Sequence, residues 1–231
     1  MKQDGSLSNS AGVEIVSHPM TYKYIIETDD WKTLFDKLNK YEMNNTNSCG
    51  LHFHLDRKYF EKKDISVIDY IINNFSDYFT KIGGRPLNDY CAKSYKRDDQ
   101  WGEDIVSRYH TVNLENSETI ELRFCQSTYQ FDVFLERLKM IFAIADFAKS
   151  HTLSECFGLD TMQNFEKEFE KYYDFSVFLN ISKNSRQSLR DPRMIRCTWL
   201  FIKAKVISSA FLNNIAQTAS TIKPSVLSSS L

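Results

Sequence analysis

Two segments of this chain alternate apolar and polar residues with a period of two, and each carries unusual residue types on its polar side. In CGLHFHLD (Cys49 to Asp56), Leu51, Phe53 and Leu55 alternate with His52, His54 and Asp56. In ETIELRF (Glu118 to Phe124), Ile120, Leu122 and Phe124 alternate with Thr119, Glu121 and Arg123. Successive side chains of a strand point to opposite faces. Each segment therefore gives one face to a core and presents imidazoles, a carboxylate and a guanidinium on the other. An ordinary solvent face carries Lys, Thr and Glu, so two histidines two residues apart point to metal or phosphate chemistry. Taken singly, each residue has a plainer reading, such as a satisfied structural histidine or a weak Glu–Arg surface pair. The functional reading rests on the constellation.

The rest of the chain supplies elements to cover the apolar face. Trp31, Leu34, Phe35 and Leu38 follow a helix cap among Thr28, Asp29 and Asp30. Asp64 is read as the cap of a longer helix bearing Ile65, Ile68, Ile72, Phe75 and Phe79, stopped at Gly83 and Gly84. Asp132 opens a strongly apolar helix running to Lys149, and further helices are expected over Thr161 to Tyr173 and Phe175 to Ile181. Val13 to Ser17 reads as a short strand, and Tyr109 to Leu114 makes a hairpin with the Glu121 strand, with Thr111 and Asn113 on its polar face. Arg85 to Gly102 is polar and irregular, which suits a loop over a site. This mixture predicts an α+β fold, an antiparallel sheet with helices packed on one face. At 231 residues with 42% hydrophobic content, the chain is expected to form one large domain over residues 1–183. A basic helical extension and a frayed tail are expected over residues 184–231.

Several classes of function are set aside by composition. The five cysteines are widely spaced with no C-x-x-C pair, and no signal peptide is visible, so reduced thiols and a cytoplasmic location are expected. The longest apolar run, Cys197 to Ile207, is too short for a membrane span and holds two lysines, which makes it a buried or docked element. From Ser182 onward Asp191 is the one acid among many lysines and arginines, but no groove-reading motif accompanies them, so nucleic acid is not an expected partner. No G-x-x-x-x-G-K-[ST] loop is present, which argues against an ordinary P-loop enzyme.

The runs DGSLSNSAGVEIVSHPM, CGLHFHLD and RYHTVNLENSETIELRF, in that order, resemble the successive motifs of the amidoligase family, carboxylate-amine ligases similar in fold to the catalytic domains of glutamine synthetase and glutamate-cysteine ligase. Gly50, His52 and His54 match a G-x-H-x-H strand, and Ile120, Glu121, Arg123 and Phe124 match an I-E-x-R-F strand. The likeness spans about Asp4 to Ala148. It implies an ATP-dependent ligase that uses Mg²⁺ to join a small-molecule or peptide carboxylate to an amine. His52, Glu121 and Glu14 would be metal ligands, and His54 would lie near the ATP phosphates. Arg123 and Glu121 would be the catalytic pair, with Arg123 facing the γ-phosphate or the acyl phosphate. Arg108, Lys96 and Arg97 are further phosphate candidates. The family opens with an E-x-E strand ahead of its DGS turn, whereas here Met1 lies three residues before Asp4. An N-terminally truncated and inactive copy with an exposed sheet edge is therefore a second expectation. Two other readings stand beside the ligase: a zinc hydrolase built on His52, His54 and Glu121, and a non-catalytic binding protein that keeps the fold.

Overall fold

The computed structural model of the chain describes residues 2–3, 12–40, 49–103, 108–173 and 196–205. In chain order the elements are β1 (Lys2–Gln3), β2 (Gly12–Val16), β3 (Met20–Thr21), α1 (Tyr22–Glu27), α2 (Asp29–Lys40), β4 (Gly50–Asp56), α3 (Lys62–Asn74), α4 (Ser76–Gly83), β5 (Val112–Asn113), β6 (Thr119–Gln126), α5 (Phe131–Ser150), α6 (Leu153–Phe157), α7 (Met162–Tyr173) and β7 (Arg196–Lys205). The expected α+β class holds. The sheet is antiparallel, in the order β1-β2-β7-β4-β6-β5, with β3 also paired to β7.

The apolar side of the sheet meets the helices through aromatic rings. Leu51, Phe53, Leu55, Ile120, Leu122 and Phe124 are all buried. Phe134 of α5 stacks on Phe53 at 6.4 Å and on Trp31 of α2 at 5.4 Å. On the far side of α3, Phe75 and Phe165 of α7 lie face to face at 4.0 Å. Each buried ring contributes roughly 1.5–3 kcal/mol of apolar transfer, so this aromatic layer ties four helices to two strands.

Two expectations are corrected. The helix read from Asp64 to Phe79 is two helices: Glu61 and Asp64 form a capping box at the start of α3, and the chain breaks at Phe75 before α4 ends against Gly84. Residues 196–205, expected to lie in a helical extension, form a ten-residue strand between β2 and β4. Cys197 to Lys205 is rich in β-branched and aromatic residues, and that local preference suits a strand better than the tail's basic composition suggested. Because β7 pairs with one side of β4 and β6 with the other, β4 is not a sheet edge. The DGS turn, the Asn-rich stretch 44–47 and the helix expected over 175–181 lie outside the described residues.

Candidate functional site

The site forms where β4 and β6 run side by side. His54 is in register with Glu121, and Asn113 of β5 is in register with Glu121 on its other side. The β4–β6 register shifts between Leu51 and Phe53, so Arg123 and Phe124 together stand opposite His52. A bulge of this kind re-aims side chains, here setting Arg123 beside His52 while Phe124 stays in the core.

Four side chains converge on the Glu121 carboxylate. Arg123 Nη1 donates to Oε1 at 2.6 Å, and His52 Nδ1 lies 2.9 Å from the same oxygen. His54 Nε2 is 3.7 Å from Oε1, and Asn113 Nδ2 donates to Oε2 at 2.6 Å. The exposed fraction of the Glu121 and Arg123 side chains is only 9% and 11%, so their attraction is little screened. His54 Nδ1 meets the Thr119 hydroxyl at 3.1 Å, which fixes its ring plane.

A fifth residue, absent from the sequence reading, sets the geometry. Arg85 is buried and reaches under the site, donating through Nη1 to the Arg123 carbonyl at 2.8 Å and to His52 Nε2 at 3.3 Å. Since an arginine can only donate, Nε2 is the acceptor and the proton of neutral His52 sits on Nδ1, aimed at Glu121. Gly50 makes this possible, because a Cβ there would come within 2.5 Å of both Arg85 Nη1 and His52 Nε2. That contact is the physical reason for a glycine at position 50.

The electrostatics follow from burial. Desolvation pushes the His52 and His54 imidazoles down to about 4, against the pull of Glu121 and with further lowering from Arg123, joined at His52 by Arg85. Burial alone would raise the Glu121 carboxyl, but the hydrogen bond from His52, the charge of Arg123 and, once acid has protonated them, the charges of His52 and His54 together draw it well below the usual range. At neutral pH both imidazoles are uncharged, so Arg123 is the counter-charge that keeps Glu121 ionised.

The other site residues predicted from sequence are dispersed. Glu14 pairs with Lys203 on β7, which separates β2 from β4, so two strand spacings, about 10 Å, lie between its backbone and β4. Lys96 is committed elsewhere: its ammonium is 2.6 Å from Asp69 on α3, and both side chains are buried. Arg97 is exposed and pairs with Asp99 at 3.4 Å. Arg108 comes nearest, lying over the Tyr109 ring at 5.0 Å, with Arg123 also against that ring at 5.9 Å. Tyr90 packs edge-on against Tyr109, and its carbonyl accepts from Arg123 Nη2 at 3.3 Å. These two half-exposed tyrosines form the mouth of the site. Of the hairpin residues, Asn113 joins the site, whereas Thr111 turns to Asn73 of α3.

Among the described residues no group of three or more His, Cys, Asp or Glu side chains is arranged to hold a metal ion. The chemistry of the cluster explains this. Mg²⁺ is bound by several oxygens in near-octahedral geometry. Here a single carboxylate meets two imidazoles, and the oxygen facing them already accepts from a guanidinium. That donor set does not fit Mg²⁺, and the positive Arg123 would oppose any divalent ion in the same place. What the arrangement can do is hold an anion, through an arginine whose other face is oriented by Glu121 and the Tyr90 carbonyl.

No family model matches the chain, and neither a curated protein nor a solved structure matches it. No helix among the described residues is long and apolar enough to cross a membrane.

Proposed function

We propose that the β4–β6 face is the reaction-centre surface of an ATP-dependent carboxylate-amine ligase, with Arg123 as the group that meets the transferred phosphate. The observation that carries this reading is the convergence of the two motif strands on one oxygen: Arg123 and His52 both lie within hydrogen-bonding distance of Glu121 Oε1, and His54 lies close by. In such a reaction a substrate carboxylate oxygen attacks the γ-phosphorus of ATP, ADP departs, and an acyl phosphate forms. An amine then attacks the acyl carbon and expels phosphate, leaving an amide. Catalysis of this kind depends on positioning and on neutralising phosphate charge, which suits a buried arginine held at a fixed angle. Glu121 is the positioning residue for Arg123. His52 and His54, neutral at physiological pH, offer hydrogen bonds without adding charge.

The test is the melting temperature with and without ATP, with Mg²⁺ supplied, for the wild type, Arg123→Lys and Glu121→Gln, each compared with its own ligand-free form. A ligand that binds the native state alone raises the transition. The proposal expects a rise in the wild type that is lost in both variants. No rise in the wild type, or an equal rise in all three, overturns it.

A further inference from the structure

Two exposed aromatic rings stand at the mouth of the Glu121 cluster. Tyr90 is 49% and Tyr109 37% exposed, their centroids lie 6.0 Å apart and their planes cross at 85°. Apolar side chains scattered singly over a surface need no explanation. These two are paired, and both are held. The Tyr90 amide donates to Asn88 Oδ1 at 2.9 Å, and the Asn88 and Cys91 backbones bond each other at 3.2 and 2.9 Å, which closes the turn that carries Tyr90. The Tyr109 carbonyl accepts from the Ala92 amide at 2.9 Å, so the segments bearing the two tyrosines are tied side by side.

The Tyr109 ring is clamped as well. Arg108 Nη2 donates to its hydroxyl at 2.9 Å, and the guanidinium lies 5.0 Å from the ring centroid. The Arg108 amide donates to Glu115 Oε1 at 2.7 Å, and the Glu115 amide donates to Asn113 Oδ1 at 3.0 Å. Asn113 is also the residue that holds Glu121 Oε2. One hairpin therefore orients both Glu121 and the ring beside it. Arg123 completes the corner: its guanidinium is 5.9 Å from the Tyr109 centroid, and Nη2 donates to the Tyr90 carbonyl at 3.3 Å on the exposed side.

We infer that the acid joined at this site is an aryl acid, whose ring docks in the corner between Tyr90 and Tyr109 while its carboxylate meets Arg123. The inference rests on the ligase reading for the position of the acid. In that reaction the carboxylate, and the acyl phosphate made from it, lie at Arg123, so the rest of the molecule lies against the side chains around Arg123. Two rings at a right angle offer a third ring one partner to stack on and another to meet edge-on, the two arrangements that aromatic pairs prefer. Arg108 is engaged by Tyr109, so it stiffens the wall of the corner instead of offering a second anion contact. Tyr90 is thus a specificity-determining residue.

Calorimetric titration of the intact chain with phenylacetate, acetate and glutarate, each with and without Mg²⁺ and ADP, tests this on the wild type, Tyr90→Phe and Tyr90→Ser. Both changes leave the backbone carbonyl that Arg123 bonds. A ring–ring contact together with its buried area makes phenylacetate about tenfold tighter than acetate or glutarate. The advantage persists in Tyr90→Phe and is lost in Tyr90→Ser. The inference is overturned by no binding of phenylacetate under either condition, by acetate or glutarate binding as tightly, or by an advantage that survives Tyr90→Ser or vanishes in Tyr90→Phe. The ligase reading fails separately. An ATP-induced rise in melting temperature with no preference for phenylacetate sinks the aryl acid alone, whereas the preference without the rise sinks the ligase and leaves an aryl-acid site.

Discussion

At the scale of single residues, Glu121 and Arg123 form a buried pair in which each needs the other. Removal of one member strands a charge with 9–11% side-chain exposure, which costs about 3–5 kcal/mol in buried pairs of this kind. Arg123→Ala is therefore expected to lower unfolding free energy by that order in urea titrations, and Glu121→Gln by less, because the remaining amide oxygen can still accept from Arg123. The double change Glu121→Gln with Arg123→Met should recover part of the loss, since partners in one network are non-additive. Full additivity would mean that the two side chains do not depend on each other. Gly50 gives a second prediction at this scale. Gly50→Ala must displace Arg85 or His52, since the added methyl meets both at 2.5 Å. A Tm lower by several degrees is expected, and an unchanged Tm would mean that Arg85 does not lie under His52. The polar alternation of the H-x-H and E-x-R strands announced the cluster, because period two is a property of any strand. Arg85 was not legible: it follows a Gly-Gly helix stop, and nothing in its local sequence shows that the chain there bridges to β6 and sends the guanidinium to His52.

Elements were legible in proportion to how local their causes are. The spacing of Trp31, Leu34, Phe35 and Leu38 gives α2, and all four are buried on its inner face. The apolar run after Asp132 gives α5, and Gly84 marks the end of α4. β7 was not legible as a strand, because its pairing with β2 and β4 is made across most of the chain length, and the segment itself read only as a buried or docked element. The loop after Cys91 shows the same limit. Lys96 and Arg97 suggested phosphate contacts, yet Lys96 is buried because Asp69 of α3 takes its ammonium, while Asn73 holds the Ser94 amide of the same loop. Asp69, which burial pushes up, is held by Lys96, the Gly102 amide and Asn73. Lys96→Met removes its counter-charge and is expected to destabilise the protein by about 3 kcal/mol or more, with Asp69→Asn added in the same chain restoring much of it. Chemical denaturation of the three proteins measures this. A Lys96→Met variant as stable as the wild type would return Lys96 to the list of residues available for a ligand.

For the whole molecule the buried titratable groups make opposing contributions to stability as pH changes. His52 and His54 are held neutral, with values near 4 against 6.5 in an unfolded chain. The unfolded state thus binds more protons between those limits, and the stability these groups contribute is present above pH 6.5 and lost as pH falls through about 4. Asp146 on α5 runs the other way. Burial raises its carboxyl to about 6 from 3.8, so the folded state is favoured while it is protonated, and that contribution is lost as pH rises through about 6. Between pH 4 and 6 the two histidines oppose Asp146 and Asp69, whose carboxyl burial also pushes up, and the stability of the wild type should rise with pH where the histidines outweigh them. Asp146→Asn removes one of the opposing groups. It is expected to be about as stable as the wild type near pH 4, to rise more steeply from there to pH 6, and to exceed it at pH 7, where the wild type carries a buried carboxylate. Urea unfolding at pH 4, 5.5 and 7 reads all three points. A stability difference that is the same at pH 4 and pH 7 would show that Asp146 is not held protonated by its surroundings, and the slope of the wild type would then belong to His52, His54 and Asp69.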